Sequence, residues 1–169
     1  MKTLSTLALL TAATAAQAYT LDVNVGHSRL SNTYDDVSLI GLGVGSQLNN
    51  EFHLGLNVSR KSIYDMNVAL VDAKATSATL DLTYSLSPMG GIRPFVGAGV
   101  GYSWLSGTGV TSKSVLTTDV FAGVRFALSE NLDIAFTVKN AQFSGVKYTS
   151  GAKHTITDWS QSVGLRLKF

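Results

Sequence analysis

From Asp158 to the final residue the chain alternates. Trp159, Val163, Leu165, Leu167 and Phe169 fall on one parity, and Asp158, Ser160, Ser162, Arg166 and Lys168 on the other. A period of two marks a strand with one apolar and one polar face. The same alternation predicts seven more strands, over Thr20–Ser28, Val37–Leu48, Phe52–Arg60, Thr76–Leu86, Ile92–Trp104, Val115–Leu128 and Leu132–Phe143, with Thr155–Phe169 as the eighth. Each is near the about 9–11 residues that a tilted strand needs to cross a hydrocarbon layer. Their apolar faces carry residues such as Leu21, Val23 and Val25, Ile40, Leu42 and Val44, Leu54, Leu56 and Val58, Leu80 and Leu82, or Val120, Ala122 and Val124, a set in which no charge falls. A charged side chain on the lipid face of a barrel costs about 2–4 kcal/mol at midplane for Arg or Lys, so a charge-free face on every strand points to lipid. An open sheet edge cannot be satisfied in hydrocarbon, so the strands must close on themselves.

The connections alternate in length. Asn49-Asn50-Glu51, Ser87 to Gly91 and Ser129-Glu130-Asn131 are short and made of turn-forming residues, whereas Arg29–Asp36, Lys61–Ala75, Leu105–Ser114 and Ser144–His154 are longer. Short turns on the periplasmic side and long loops outside would place both termini in the periplasm. Aromatics sort by depth in the same frame. Tyr102, Trp104 and Trp159 fall at one end of their strands and Phe52, Tyr84, Phe126 and Phe169 at the other, which predicts two interfacial girdles.

Two stretches carry a resemblance. The terminal Gly164-Leu165-Arg166-Leu167-Lys168-Phe169 resembles the C-terminal strand signature by which bacterial outer-membrane barrels are handed to their assembly machinery, with Gly164, Leu165, Leu167 and Phe169 as its carriers. Arg93-Pro94-Phe95-Val96-Gly97-Ala98-Gly99-Val100-Gly101-Tyr102 resembles the fifth strand of the small opacity-protein-like barrels, the group that includes OmpA-type and OmpX-type domains. With the leader described next, the likeness covers the whole chain. It implies an all-β fold, an eight-stranded up-and-down antiparallel transmembrane β-barrel, in a bacterial outer membrane. The partners it implies are outer-membrane lipid, lipopolysaccharide and the barrel-assembly machinery.

Residues 1–18 have a basic start at Lys2, an apolar run from Leu4 to Ala16 and a small-residue site at Ala16-Gln17-Ala18, which is the pattern of a secretory signal peptide. The run is shorter than the about 20 residues of a membrane-spanning helix. Residues 19–169 then form the barrel domain, and no further domain is expected after its last strand. Without Lys2, 12 basic and 11 acidic side chains remain, a balance of +1 that argues against nucleic acid as a partner. There is no cysteine, hence no disulfide or thiol chemistry.

The polar faces hold the candidate chemistry. Asp22, Asp81, Asp119 and Asp133 stand against Arg93, Arg125, Lys139, Arg166 and Lys168, and in a narrow lumen these charges must pair or hold water. Register through the Ser129–Asn131 turn places Asp133 opposite Ala127 and diagonal to Arg125. Barrel closure brings Asp22 towards Arg166 and Lys168. A structural ion network is one reading, since eight strands leave an interior just wide enough for side chains. A constricted polar pore is the other. Gly41, Gly43, Gly45, Gly97, Gly99 and Gly101 share the inward face and leave room for long side chains from across the lumen, and their spacing and setting do not match a dinucleotide fingerprint.

His27, His53 and His154 lie at different depths, so no metal site is expected, nor any cofactor. Barrels of this size include lipid A deacylases and palmitoyl transferases. His27-Ser28 with Asp35, Asp36 or Asp158, or His154 as base, is the one assembly to weigh against an acyl-transfer site. Neighbours in a strand point to opposite faces, and Ile156 stands where a deacylase His-x-Ser pattern would need serine. Lys113, Lys147 and Lys153, with His154, Arg60 and Lys61, make the loop rim mildly basic. The reading that follows is a non-enzymatic outer-membrane protein with a structural or surface-interaction role, in which Lys113, Lys147 and Lys153 contact lipopolysaccharide phosphate or loops meet a host or matrix ligand. A narrow porin-like conduit is the alternative and an acyl-transfer enzyme a distant third.

Overall fold

A computed structural model of the chain describes residues 19–30, 37–65, 71–107, 111, 114–147 and 153–169, with side chains at all of these except 30, 63–65, 71–73 and 153–154. The leader at residues 1–18 lies outside them. Eight strands follow one another: β1 Tyr19–Leu30, β2 Val37–Gln47, β3 Phe52–Asp65, β4 Val71–Ser85, β5 Ile92–Gly107, β6 Ser114–Ala127, β7 Leu132–Lys147 and β8 Lys153–Lys168. All neighbours pair antiparallel and β1 pairs with β8, so the sheet closes as an up-and-down barrel.

The register fixes the barrel's shape. Leu30 pairs with Asp158, Asp158 with Ala141, Ala141 with Asp119, Asp119 with Gly99, Gly99 with Asp81, Asp81 with Gly55, Gly55 with Gly45 and Gly45 with Thr20. One circuit along the hydrogen bonds thus descends from residue 30 to residue 20 of the same strand, a shear of ten residues. Shear of this size tilts the strands against the axis and sets the diameter of an eight-stranded barrel.

One end carries the termini and the three tight turns. Asn49 Oδ1 accepts from the backbone N–H groups of Glu51 (2.9 Å) and Phe52 (2.7 Å), replacing the partners the turn removes. Gly90 and Gly91, at φ 59° and 85°, make the second turn with no side chain to oppose left-handed backbone. The chain's last amide donates to Tyr19 O at 2.9 Å, and Lys168 N to Asn131 O at 2.9 Å, which ties down the final strand. At the other end, the loop end, the connections fall in residues outside the description.

The strands run 11 to 16 residues, and all but β2 and β6 are longer than hydropathy alone indicates. β3 continues five residues beyond Arg60, to Asp65, and β4 begins at Val71, with pairs from Lys61↔Ala75 to Asp65↔Val71. The segment from Lys61 to Ala75 is therefore mostly strand and not loop, and the same holds for Leu105–Gly107, Ser144–Lys147 and Lys153–His154. Near the loop end the outward face turns polar, with Arg60, Lys74 and Ser106, while apolar residues such as Leu105 and Phe143 turn inward, so the mid-strand hydropathy contrast is lost while the ladder of hydrogen bonds continues. β7 also carries a bulge between Phe143 and Val146, where Gly145 adopts φ 75° and shifts the inward parity from odd to even.

The apolar faces are turned outward. Leu42, Val120 and Leu165 are 57 %, 60 % and 48 % exposed, as are comparable residues on every strand. In water such a continuous apolar surface would aggregate, and against lipid it is the stable arrangement. The buried set is the reverse of a soluble core, with Thr20, Ser28, His53, Lys61, Asp81, Asp119, Arg125, Asp133 and Asp158 among its members.

Candidate functional site: a layered, charged lumen

The lumen is built in layers, each from side chains that alternation turns inward. At the turn end Arg166 of β8 grips Asp22 of β1 with two hydrogen bonds, Nε to Oδ1 at 2.5 Å and Nη2 to Oδ2 at 2.9 Å. The two residues are direct register partners across the closing seam. Asp133 pairs with Lys168 at 2.8 Å and not with its diagonal neighbour Arg125. Arg125 instead stacks on Phe95, its guanidinium 4.8 Å from the ring centre, with Nε buried and without an acceptor among the described residues. His53 hydrogen-bonds Thr20 at 2.8 Å. Arg93 stands opposite Arg125 in the ladder.

At mid-height one lysine serves two carboxylates. Lys139 Nζ donates to Asp81 Oδ2 at 3.2 Å and to Asp119 Oδ2 at 3.1 Å, and Asn57 adds a donor to Asp81 at 2.9 Å. Their other oxygens, both Oδ1, are buried without a partner among the described residues and converge over Gly99, where a Cβ would collide with each. Gly97 makes room for the Phe121 ring in the same manner. The inward glycines thus hold open space that long side chains from neighbouring strands fill.

Nearer the loop end lies a group that composition hides. Asp158, fully buried, accepts from Lys61 Nζ and from Ser28 Oγ in very short contacts. The Lys61 ammonium also sits 4.6 Å from the centre of the Phe143 ring. Beside this group the Ser77, Ser103 and Thr117 hydroxyls form a chain across β4, β5 and β6, with links of 2.6 and 2.5 Å. The expectation that Lys61 belongs to a basic outer rim is overturned, because its odd position on β3 continues the inward row of His53, Gly55, Asn57 and Ser59. The lysine read alone resembles loop charge. Counting parity outward from Asn57 would have found it.

Above the Lys61–Asp158 pair the interior turns apolar. Ala75, Leu105, Val115, Ala141, Phe143 and Val146 pack into one buried cluster with Ile156 against it. The residues come from β4 to β8, and Ala75 pairs with both Lys61 and Leu105. A cavity of about 140 Å³ is lined from His53, Arg125 and Arg166 up to Lys61, Asp158 and Phe143. That volume suits a few ordered waters with many polar partners.

Among the described residues, His27 and Ser28 of the acyl-transfer assembly are not brought together. His27 is exposed on the outer face, while Ser28 is buried and donates to Asp158. Asp35, Asp36 and the side chain of His154 lie outside the described residues. No cluster of three metal-ligating acids, histidines or cysteines occurs among the described residues. Of the rim lysines, Lys113 and the side chain of Lys153 are likewise outside the description, and Lys147 ends β7, its carbonyl accepting from Thr111 N at 3.0 Å. Other exposed cations stand just beyond the tryptophans. Arg29 is opposite Trp159, Arg60 is opposite Thr76, which also faces Trp104, and Lys74 is two positions further along β4.

Comparison with solved structures finds the same architecture. Neisserial surface protein A aligns with a TM-score of 0.70 at 16 % identity, covering 90 % of this chain and 97 % of that one. The outer-membrane enzyme PagL aligns at 0.60 and 17 % identity over 86 % and 97 %. Ail, the attachment invasion locus protein of Yersinia pestis, in complex with the heparin analogue sucrose octasulfate, aligns at 0.52 and 16 % identity over 89 % and 99 %. Identities this low show a shared fold, and the shared fold includes an enzyme. No curated protein matches the sequence. The family model of the outer membrane protein beta-barrel domain matches residues 3–169, so with its closed barrel, lipid-facing outer surface and charged interior this chain belongs to the outer membrane protein beta-barrel family, whose members lie in the bacterial outer membrane.

Proposed function

We propose that this barrel works through its loop-end surface and not by transport or catalysis. The observation that carries the reading is the apolar cluster of Ala75, Leu105, Val115, Phe143 and Val146, which lines the interior near the Lys61–Asp158 pair. A conduit needs a polar path through that level. An acyl-transfer enzyme needs a nucleophile and base in contact, and Ser28 and His27 face opposite sides of the wall. In this reading residues 1–18 direct secretion and the tight turns and termini face the periplasm. The Gly164–Phe169 strand meets the assembly machinery, and the loop end projects outward.

The chemistry of the projecting rim selects the partner class. Arg29, Arg60 and Lys74 are exposed outside the barrel wall at the level where the tryptophans mark the edge of the hydrocarbon, and Lys147 stands above them, with Lys113 and Lys153 in or beside the loops. Phosphate groups of lipopolysaccharide, or the sulfates of a host or matrix polysaccharide, suit clustered guanidinium and ammonium groups. The complex of Ail with a sulfated heparin analogue fits that reading for a barrel of this fold.

The test is retention of detergent-folded protein on immobilised heparin and on lipopolysaccharide, read as the salt needed for elution. The expected result is binding that weakens at least several-fold in an Arg29→Ala/Arg60→Ala/Lys74→Ala variant. Absence of binding to both polyanions by correctly folded protein would sink the proposal.

A further inference from the structure

We propose that the turn end of the lumen holds a binding site for a small oxyanion of the phosphate or sulfate class, centred between Arg93 and Arg125. The two arginines are directly opposite on β5 and β6 and face the same interior. Like charges opposite one another in a ladder are destabilising, the more so in a narrow, partly dehydrated lumen.

The nearby carboxylates offset the pair only in part, because each is already engaged by another cation. Asp22 is engaged by Arg166 and Asp133 by Lys168. Arg93 has no ion pair or hydrogen bond among the described residues, and Arg125 is 8 % exposed with its Nε lacking any acceptor. Glu51 and Glu130 are exposed in the tight turns, where solvent screens them. Among the inward side chains described at this end of the barrel, the four cations Arg93, Arg125, Arg166 and Lys168 therefore stand against two aspartates, Asp22 and Asp133. A buried guanidinium N–H without an acceptor is costly, and so is an uncompensated charge.

The site also has space. Arg125, Arg166, His53 and Asp22 line the floor of the cavity of about 140 Å³. Phe95 supports the Arg125 guanidinium from one face and holds it in place without taking up its donors. A tetrahedral oxyanion accepts from several N–H groups at once and matches the planar fork of a guanidinium, so one phosphate between two arginines satisfies both the orphaned donor and the excess charge.

The experiment titrates the detergent-folded protein with inorganic phosphate and with sodium chloride at matched ionic strength and pH, reading the unfolding midpoint and, by calorimetry, the affinity. The expected result is a phosphate-specific rise of about 5 °C or more once phosphate exceeds its dissociation constant about a hundredfold. Arg93→Gln and Arg125→Gln should each weaken phosphate affinity by about tenfold or more, without lowering the midpoint in chloride, because each relieves the like-charge pair. If Arg125→Gln does not fold, the more exposed Arg93 carries the test alone. No phosphate-specific rise in the wild type overturns the proposal. So does a rise that survives Arg93→Gln, since it would place the anion elsewhere, as on Arg29, Arg60 and Lys74.

Discussion

Asp158 joins three strands through its two oxygens, one taking the Ser28 hydroxyl of β1 and the other the Lys61 ammonium of β3. Lys61 is 5 % exposed, so its charge is tolerable only while the carboxylate is there. Asp158→Asn keeps the shape and removes the charge, leaving a buried ammonium beside the Phe143 ring. The expected loss is about 3–5 kcal/mol of stability, seen as a lower temperature for the heat-induced mobility shift of the folded barrel on gels. Adding Lys61→Met to Asp158→Asn should recover most of that loss, because an apolar side chain of similar length has no charge to compensate. If the single variant unfolds at the wild-type temperature, the pair is not buried as described. Asp158 was legible as inward from its parity in the last strand. Its partner was not, since they are 97 positions apart and Lys61 lies where hydropathy contrast has already faded.

At the scale of the strand, alternation decides which substitutions the barrel tolerates. Leu56 of β3 is 48 % exposed and pairs with Val44 and Leu80, both outward, whereas its chain neighbours Gly55 and Asn57 face the lumen. Leu56→Arg places a charge in the lipid-facing belt and should cost about 2–4 kcal/mol, read as reduced refolding yield into lipid vesicles and a lower unfolding midpoint. A cost of that size at Leu56 with none at exposed Arg60→Leu, four positions nearer the loop end, would trace the edge of the hydrocarbon along one strand. Equal effects at both would contradict the proposed depth. Strand existence, inward parity and the tight turns were readable, because a half-lipid, half-lumen strand writes a strong period of two. The strand ends and the β7 bulge were not readable, because near the loop end the outward face turns polar and the lipid-facing period is lost, and a one-residue parity slip at Gly145 leaves no compositional trace.

In the whole molecule, a shear of ten residues decides which side chains meet across the lumen. It carries the circuit from Asp158 through Asp119 to Asp81 and sets Ala75, Leu105, Val115 and Phe143 together near the loop end. The result is a polar interior below an apolar cap. In a planar bilayer the protein should show no discrete conductance steps. Phe143→Ala/Leu105→Ala, which thins the cap and removes the ring beside Lys61 while leaving the ion pairs of Asp22, Asp81, Asp119 and Asp133 in place, should produce them. Steps in the wild type would instead favour the conduit, and silence in both would mean that the charged layers below also seal the lumen.

The sequence by itself determined that this is a closed eight-stranded barrel with an apolar outer face, which residues of the central strand segments point inward, and that its interior is charged. Those features follow from local alternation and from the cost of an open edge in hydrocarbon, and both are written along single strands. Barrel closure already pointed Asp22 towards Arg166, and only the tertiary structure decided the other partners: Lys168 for Asp133, Lys139 for two aspartates, Lys61 for Asp158, and none among the described residues for Arg93. Partnership inside a barrel depends on shear and on bulges, which sum small register choices around all eight strands, and no single stretch of chain contains that sum.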